Sequence, residues 1–320
     1  MQYEKKTIGV LTSGGDAPGM NAAVRAVVRA GNVKGHRVVG IRRGYQGLIN
    51  GDIEEMKLRS VCDIIQRGGT VLYTARCPEF VKEEGQIKGV EMCHKMGIDG
   101  LVVIGGDGSY RGARALSNRG IPCIGIPGTI DNDIASTEYT IGFDTAVNTV
   151  VESVDRLRDT SQSHDRCSVV EVMGRRAGHI ALHAGIACGA IAVLIPEREF
   201  NVDVDVIDRM KETLKTGKHH FIVIVAEGVG DSKRICEYIE EKTGIESRLT
   251  VLGHVQRGGT PTAKERVYAS VMGYRAVELL EQGKGNRVVG VQNNRVVDFD
   301  INDALEMTKD IDQYLYKVAY

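Results

Sequence analysis

The sequence predicts an α/β fold with largely parallel sheets, on three observations. Short runs rich in Val, Ile and Leu are typical of buried parallel strands. Longer segments of helical periodicity lie between them, which is the βαβα order of layered α/β proteins. The chain has 320 residues, more than twice a typical domain of about 150, so one large or two smaller domains are expected.

The predicted elements alternate along most of the chain. The strands are residues 7–12, 37–42, 100–106, 121–128, 167–174, 191–197 and 220–228. The helices are residues 20–30, 81–96, 145–160, 203–215, 231–243 and 263–282. Ligands of open α/β sheets bind beyond the carboxyl ends of strands, so a site is expected in the loops that follow these strands. A domain break is suggested only near residues 140–145.

Glycine is abundant, with 39 residues, or about 12% of the chain against a usual level of about 7%. The 6 prolines and the lack of any G-X-Y period exclude collagen and disorder. Gly-Gly pairs occur at 14/15, 68/69, 105/106 and 258/259, early and late but not in the middle third. One site is therefore expected to draw on both ends of the chain.

Charge and hydropathy exclude other classes of protein. The 41 basic and 42 acidic side chains give a net charge of −1, so nucleic acid and membrane are not expected partners. The longest apolar runs are about half the ~20 residues of a spanning helix, and a soluble, cytoplasmic protein is expected. The 7 cysteines show no CxxC pair and predict neither a disulfide framework nor a zinc site.

A first Gly-rich segment, TSGGDAPGMNAA (12–23), follows a strand and precedes a helix. Backbone N–H groups and a helix N-terminus together form an anion site. The segment lacks the GK[ST] ending of a Walker A loop. A plain strand-to-helix turn remains the alternative.

A second Gly-rich segment, VVIGGDGSYRGA (102–113), delivers Asp107 from a strand into a Gly-flanked turn. Bare backbone there could lie against phosphates, with Asp107 holding the divalent cation that they carry. A dinucleotide fingerprint fits poorly, because Arg111 stands where its third glycine should be. A merely structural turn is the other alternative.

A third segment, IPGTIDNDIAST (126–137), carries Asp131 and Asp133 on either side of Asn132. A carboxylate that accepts a proton from an attacking hydroxyl is the general base of phosphoryl transfer to alcohols. Proximity of like charges would separate the two pKa values. A solvated Asx-rich turn is the alternative.

Several arginines in predicted loops could hold phosphate oxygens, which suit a guanidinium fork. These are Arg76, Arg166, Arg175, Arg248 and Arg257, the last beside His254. Arg25 and Arg29 lie four apart on the first helix, which suggests a second phosphate site. A solvated or ion-paired arginine is the default interpretation of each.

Taken together, the motifs resemble those of bacterial ATP-dependent 6-phosphofructokinases. The resemblance is collinear over residues 7–300 and rests on TSGGDAPGMN, ARCPEF, IGGDGSYRGA, PGTIDND, TIGFDTA, EVMGRRAG, VAEG and LGHVQRGGTP. GGDGS with PGTIDND is highly specific, whereas GGDG alone also occurs in NAD kinases and some lipid kinases.

The resemblance implies transfer of the γ-phosphoryl group of Mg-ATP to the 1-hydroxyl of fructose 6-phosphate. The implied catalytic residues are Asp131, Arg175, Arg76, Thr129 and Asp133. The implied ATP-binding residues are Gly15, Arg76, Cys77, Gly106, Asp107, Gly108 and Ser109. The implied substrate-binding residues are Thr129, Ile130, Asp131, Arg166, Met173, Gly174, Arg175, Glu227, Arg248, His254 and Arg257.

Particular roles follow from the same resemblance. Asp131 would be the base, Asp107 would hold Mg²⁺, and Arg175 with Arg76 would offset charge on the moving phosphoryl group. Arg166 and Arg248 would reach in from a neighbouring subunit, so that a homotetramer shares its active sites.

Two glycines bear on the phosphoryl donor. In pyrophosphate-using relatives an aspartate matches Gly108 and a lysine matches Gly128, and the aspartate would block the α-phosphate of a nucleotide. The two glycines therefore imply ATP. A pyrophosphate-dependent phosphofructokinase or an NAD-type kinase on the same scaffold is the alternative enzyme, and a non-catalytic sugar-phosphate sensor is the alternative outside the enzymes.

An effector site for ADP or phosphoenolpyruvate is also implied. Its residues would be Arg25, Arg29, Arg158 and Lys218. Three matching positions depart from the family pattern. Leu58 stands where some members have arginine, Ile191 where a glutamate usually holds the effector's metal, and Thr216 where a lysine is common. We therefore expect weakened or altered regulation.

The resemblance implies two three-layer αβα domains with largely parallel sheets. Residues 1–142 with 256–306 would bind ATP. Residues 143–255 with 307–320 would bind fructose 6-phosphate.

Overall fold

The computed structural model of the protein describes residues 4–319. The chain divides into two compact units, each with its own sheet. The first comprises Met1–Thr129, Ile134–Asp144 and Arg257–Lys309, and the second comprises Ile130–Asp133, Thr145–Gln256 and Asp310–Tyr320. Residues 1–3 and 320, which belong to the two predicted domains, lie outside the described residues.

The strands in chain order are β1 (Thr7–Thr12), β2 (Arg37–Ile41), β3 (Ile53–Glu55), β4 (Gly100–Gly105), β5 (Cys123–Thr129), β6 (Ile141–Gly142), β7 (Cys167–Val172), β8 (Ala192–Leu194), β9 (Phe221–Ala226), β10 (Ser247–Val251), β11 (Arg287–Gln292) and β12 (Arg295–Asp300).

The α-helices are α1 (Met20–Val33), α2 (Gly44–Asn50), α3 (Glu83–Met96), α4 (Asp107–Ser117), α5 (Phe143–Ser163), α6 (His179–Ala187), α7 (Arg209–Leu214), α8 (Ser232–Thr243), α9 (Ala263–Glu281), α10 (Ile301–Glu306) and α11 (Gln313–Val318). Short 3₁₀ helices cover Leu58–Val61, Pro78–Val81, Glu227–Val229 and Gly253–Arg257, and a π-helical turn, Asp203–Asp208, leads into α7.

The sheet of the first unit has the strand order β12-β11-β5-β4-β1-β2-β3, with β6 beside β5. All neighbours are parallel except the edge strands β3 and β12. Thr12 pairs with Ile104, and Gly105 pairs with Pro127. Therefore the carboxyl ends of β1, β4 and β5 lie on the same side of the sheet, and the loops that follow these strands begin next to one another.

Helices cover both faces of this first sheet. Val39 of β2 packs in a buried cluster with Cys93 of α3 and Leu116 of α4. Its neighbour Val38 packs on α1, where a Cβ on Gly31 would lie 2.5 Å from Val38 Cγ2. Successive side chains of a strand point to opposite faces, so α3 and α4 lie on one face and α1 on the other.

The sheet of the second unit has the order β10-β7-β9-β8 and is parallel throughout. On one face, Val169 packs in a buried cluster with Met210 of α7 and Ile239 of α8. On the other, Ser168 shares a 2.6 Å hydrogen bond with Ser161 of α5. This unit is also a three-layer sandwich.

The predicted α/β class is confirmed, and every predicted strand and helix has a counterpart within residues 4–319. Ten further elements were not predicted from the sequence, namely β3, β6, β10, β11, β12, α2, α4, α6, α10 and α11. Among the described residues, no helix has the length and apolar character needed to cross a bilayer.

Candidate active site

The first predicted phosphate loop, residues 13–19, joins β1 to α1 in the first unit. The Ser13 N–H donates to the carbonyl of Ile104 at 2.9 Å, and the Thr74 hydroxyl donates to the carbonyl of Gly14 at 2.7 Å. Gly19 precedes α1 with a φ of 100°, which only glycine adopts readily. Among the described residues no side chain caps α1, so its N-terminus suits an anion.

Arg257 lies directly against this loop. It ends the Gly253–Arg257 turn, and its Nη1 donates to the carbonyl of Asp16 at 3.2 Å. A Cβ on Gly15 would lie 2.4 Å from the same nitrogen.

The Gly-Gly pairs near residues 68 and 259 also meet within this unit. A Cβ on Gly68 would lie only 2.4 Å from the carbonyl oxygen of Gly259. An early and a late glycine segment thus lie side by side in the first unit.

The second predicted loop is shorter than expected, because α4 begins at Asp107 itself. The predicted Gly-flanked turn is the first turn of this helix, in which the Ser109 and Tyr110 N–H groups donate to the carbonyl of Gly106 at 2.9 and 3.1 Å. Asp107 is half-buried and Gly108 exposed. A carboxylate in the first turn is favoured by the helix dipole.

Tyr45, which the sequence analysis missed, holds the start of α4. Its hydroxyl donates to the carbonyl of Ser109 at 2.5 Å, and its ring stacks on Phe80 with centroids 4.2 Å apart. A Cβ on Gly112 would lie 2.5 Å from the same ring. Burial raises the pKa of Tyr45 well above its ordinary value, so the hydroxyl remains a donor.

Arg76 and Cys77 precede the turn that carries Phe80. The Arg76 side chain is exposed and makes no hydrogen bond or ion pair with residues 4–319. Burial raises the pKa of the half-buried Cys77 thiol, so it stays protonated at neutral pH. The Tyr45–Phe80 stack therefore connects this segment to the start of α4.

Thr129 ends β5 at the edge shared with β4. Its carbonyl accepts a 2.7 Å hydrogen bond from the Thr140 hydroxyl, and its Cβ lies 3.8 Å from where a Cβ on Gly106 would be. The nucleotide-loop candidate Gly106 and the acceptor-loop candidate Thr129 are thus close neighbours within the first unit.

The two donor-determining glycines differ in their surroundings. A Cβ on Gly108 would meet no atom within 4 Å. A Cβ on buried Gly128 would lie 3.0 Å from Ile104 and 3.1 Å from Met20. Gly108 therefore leaves open space beside α4, whereas a lysine at position 128 would require its neighbours to move.

The chain continues from β5 into Ile130–Asp133, which clusters with the second unit. Asp131 is 7% exposed and Asn132 5%, and Asn132 has a φ of 52°. Asp133 is half-buried. The alternative of a solvated turn is wrong for Asp131, since its carboxylate lies almost wholly inside the protein.

Strands β7 and β9 of the second unit end together, with Val172 opposite Ala226. Glu227 Oε1 accepts hydrogen bonds from the N–H groups of Gly174 at 3.2 Å and Arg175 at 2.5 Å. Arg175 has a φ of 59°, and its side chain is exposed. A left-handed conformation costs a residue other than glycine about 1 kcal/mol or more. The two hydrogen bonds to Glu227 help to offset this cost and so stabilise the backbone that presents Arg175.

Gln256 is a second residue that the sequence analysis missed. It is fully buried, its Oε1 accepts from the Met173 N–H at 3.3 Å, and its Nε2 donates to the carbonyl of Gly253 at 3.1 Å. It thereby ties Met173 to the turn that carries the exposed His254.

Arg166 and Arg248 lie at the opposite end of the strands of the same sheet. They sit at the amino ends of β7 and β10, where Ser247 pairs with Cys167. Met173 follows the six residues of β7, so about 20 Å of strand separates it from Arg166. Within one chain the structure does not bring these arginines to Met173. The prediction that Arg248 lies in a loop was wrong. Its polar, half-exposed segment forms the edge strand β10.

Glu246, also missed in the sequence, bridges the two arginines. Arg166 Nε donates to Glu246 Oε2 at 2.6 Å, and Arg248 Nη2 donates to Oε1. These bonds, chiefly the one from Arg166, lower the pKa of Glu246.

The predicted effector residues fall in both units. Arg25 and Arg29 lie on α1, half-buried and exposed respectively. In the second unit, burial and then the charge of Arg158 lower the pKa of Lys218. Burial, followed by Lys218 and Arg158, also lowers the pKa of His220, which the sequence analysis did not single out. The second unit therefore holds a cluster of basic groups.

Within residues 4–319, no three His, Cys, Asp or Glu side chains are grouped so that they could hold a metal ion. Asp107 is a single half-buried carboxylate at a helix N-terminus. Such a donor fits Mg²⁺, which is usually held by one or two carboxylates together with substrate phosphates.

Comparison with known proteins shows the family to which the chain is similar. A family model described as phosphofructokinase matches residues 7–280. The chain is 59% identical over 314 residues to an ATP-dependent 6-phosphofructokinase of Clostridium botulinum strain Hall, covering 98% of each chain.

Solved structures share the fold. A Pichia pastoris phosphofructokinase in the T-state is 36% identical with a TM-score of 0.90, over 94% of this chain but only 38% of the yeast chain. A pyrophosphate-dependent phosphofructokinase of Marinobacter aquaeolei has a TM-score of 0.87 at 20% identity, over 97% of this chain and 86% of the other. The fold alone therefore does not distinguish the phosphoryl donor.

Proposed function

This chain belongs to the phosphofructokinase family, and from that premise we infer that it transfers the γ-phosphoryl group of ATP to the 1-hydroxyl of fructose 6-phosphate. The products are fructose 1,6-bisphosphate and ADP, and the reaction is the committed step of glycolysis. The observation that carries this conclusion is identity to an ATP-dependent relative over nearly the whole length of both chains. The pyrophosphate-dependent alternative is not favoured.

The ATP phosphates would lie at the carboxyl edge shared by β1, β4 and β5. The N-terminus of α1 and that of α4 both open there, and both attract anions. Gly15, Gly106 and Ser109 would offer backbone N–H groups, and Cys77 would lie against the nucleotide. The open space beside Gly108 supports ATP, because an aspartate there would fill it with a negative charge.

Asp107 would hold the Mg²⁺ that accompanies ATP. The ion would neutralise charge on the phosphate oxygens as the phosphoryl group moves.

Asp131 would act as the general base. Its carboxylate takes the proton of the 1-hydroxyl while the hydroxyl oxygen attacks the γ-phosphorus, and the bond from that phosphorus to the β,γ-bridging oxygen breaks to release ADP. Thr129, Ile130 and Asp133 would shape the acceptor loop. The guanidinium groups of Arg76 and Arg175 would offset the charge on the moving group.

Fructose 6-phosphate would be held by residues at the carboxyl edge of the second sheet and by the turn at residues 253–257. These are Met173, Gly174, Arg175, Glu227, His254 and Arg257. Arg166 and Arg248 lie at the opposite edge of that sheet, which supports their reaching a neighbouring subunit's site instead. We therefore propose a homotetramer with shared active sites.

The remaining assignments extend this proposal. The first sheet and its helices would bind ATP (1–142 and 256–306), and the second would bind the sugar phosphate (143–255 and 307–320). Arg25, Arg29, Arg158 and Lys218 would form an effector site for ADP or phosphoenolpyruvate. A cytoplasmic location stays a prediction of the sequence.

Replacing the base tests the proposed chemistry. Asp131→Ser should lower kcat about 10²- to 10⁴-fold or more and leave affinity for fructose 6-phosphate largely intact. Asp133→Ser is the matched control, since it removes a carboxylate two residues away and should cost less. Near-normal turnover of the Asp131→Ser variant would exclude Asp131 as the base. A wild-type protein that does not phosphorylate fructose 6-phosphate would contradict the proposed function itself.

A further inference from the structure

Glu246 lies between two arginines, Arg166 and Arg248, and bonds to both. Each of its carboxylate oxygens accepts from a different guanidinium, Oε2 from Arg166 Nε at 2.6 Å and Oε1 from Arg248 Nη2. The sequence motifs do not include Glu246, because it lies in a half-exposed segment before an edge strand.

The backbone fixes the location of this carboxylate. The Cys167 N–H donates to the carbonyl of Glu246 at 2.9 Å, continuing the ladder in which Ser247 pairs with Cys167. Arg166 and Glu246 therefore stand side by side at the amino edge of the sheet, and Arg248 follows two residues later. The geometry of the cluster is set by the sheet and not by a mobile loop.

Most of the hydrogen-bonding capacity of the arginines remains available. A guanidinium carries five N–H donors in a planar fork, and Glu246 engages one nitrogen of each arginine. Arg166 keeps both terminal nitrogens, which can bind a phosphate in the bidentate manner.

Charge explains why a carboxylate is needed here. Two guanidinium groups side by side repel each other, and each side chain loses rotamer freedom when it is held in one place. A carboxylate between them removes the repulsion and fixes both forks before a ligand arrives, which improves affinity by preorganisation. Because the arginine bonds lower its pKa, Glu246 stays ionised at neutral pH.

We propose that Glu246 is a positioning residue for sugar-phosphate binding, which orients Arg166 and Arg248 toward the phosphate of fructose 6-phosphate. This inference rests on the proposed function. It predicts that Glu246 aids binding even though it carries the same charge sign as the ligand.

Glu246→Gln tests the proposal in the full-length enzyme. The KM for fructose 6-phosphate should rise about tenfold, because hydrogen bonds to charged groups that hold the arginines are lost. The KM for ATP and kcat should stay within about twofold, since Glu246 touches neither reactant at the transferred group. Glu246→Asp, one methylene shorter, should give a smaller rise because its carboxylate spans the two arginines less well.

A double variant shows whether Glu246 acts through Arg166. Arg166→Ala/Glu246→Gln should raise the KM for fructose 6-phosphate little more than Arg166→Ala does, because the two changes are coupled. Glu241→Gln is the matched control, since Glu241 pairs with Lys242 at 3.4 Å on α8. It should behave as wild type.

Three results would overturn the proposal. An unchanged KM for fructose 6-phosphate in Glu246→Gln would show that Glu246 does not position the arginines. A lowered KM would make it a competitor of the phosphate, and a rise that gel filtration traces to dissociated subunits would make its role structural. In each case a wild-type enzyme that phosphorylates fructose 6-phosphate leaves the proposed function standing.

Discussion

Arg257 donates a hydrogen bond from Nη1 to the carbonyl of Asp16 at 3.2 Å, across 241 positions of sequence. Both residues belong to the first unit, and the contact holds Arg257 against the loop of the first predicted phosphate site. One arginine, expected at the sugar phosphate, thus also supports the loop expected at ATP.

Gly15→Ala should disturb both substrates through this contact. The new Cβ would lie 2.4 Å from Arg257 Nη1, so the guanidinium would have to shift, and we expect the shift to weaken its hydrogen bond to Asp16. We expect the KM for fructose 6-phosphate to rise about tenfold, with a smaller rise for ATP and little change in melting temperature. When Gly15→Ala is added to Arg257→Ala, the KM for fructose 6-phosphate should rise little further. If steady-state kinetics show that the effects of the two substitutions are additive, the coupling is contradicted.

Gly108→Asp should weaken ATP selectively. The position has open space, so the variant should fold with the wild-type melting temperature. The added carboxylate would repel nucleotide phosphate and raise the KM for ATP at least about tenfold, as one like-charge contact of a few kcal/mol implies. Gly108→Ala, which adds volume without charge, separates the two causes, and an unchanged KM for ATP in the aspartate variant would argue against this position facing the nucleotide.

Tyr45→Phe should impair the nucleotide side only. Removing the hydroxyl takes away its 2.5 Å hydrogen bond to the Ser109 carbonyl, which should cost about 0.5–1.5 kcal/mol of stability. The KM for ATP should rise several-fold while that for fructose 6-phosphate stays unchanged. Tyr268→Phe, which removes an exposed 3.3 Å bond to Asn294, is the control. Equal changes in both KM values would show a general loss of structure instead.

Regulation by ADP and phosphoenolpyruvate should be weak or altered. Ile191 packs against the core of the second unit and has no group that could bind a metal ion, and exposed Leu58 adds no charge. Saturation curves against fructose 6-phosphate, with each effector added, should show small shifts. A strongly sigmoidal curve in phosphoenolpyruvate that ADP reverses would contradict the expectation.

The sequence predicted those strands whose apolar runs are long, such as β1 and β4, because burial on both faces leaves a continuous pattern. It missed β11 and β12, although Asn293 and Asn294 between them, with φ values of 49° and 59°, mark a two-residue hairpin. It missed β10 because an edge strand is half-exposed and polar.

The candidate site residues also fall into two groups, those predictable from the sequence and those that are not. Asp107 and Asp131 stand in distinctive motifs, so their positions could be predicted. Tyr45 holds the start of α4, Gln256 bonds to Met173, and Glu246 bridges Arg166 and Arg248. Their contacts depend on strand pairing and packing, which local spacing does not reveal.

Donor choice tests the central claim most directly. Purified enzyme with Mg²⁺ and fructose 6-phosphate should be given ATP or pyrophosphate at equal concentration, and fructose 1,6-bisphosphate measured over time. We predict rapid formation with ATP, with ADP released in equal amount, and negligible formation with pyrophosphate. Faster product formation with pyrophosphate, or no bisphosphate with either donor, would contradict the account.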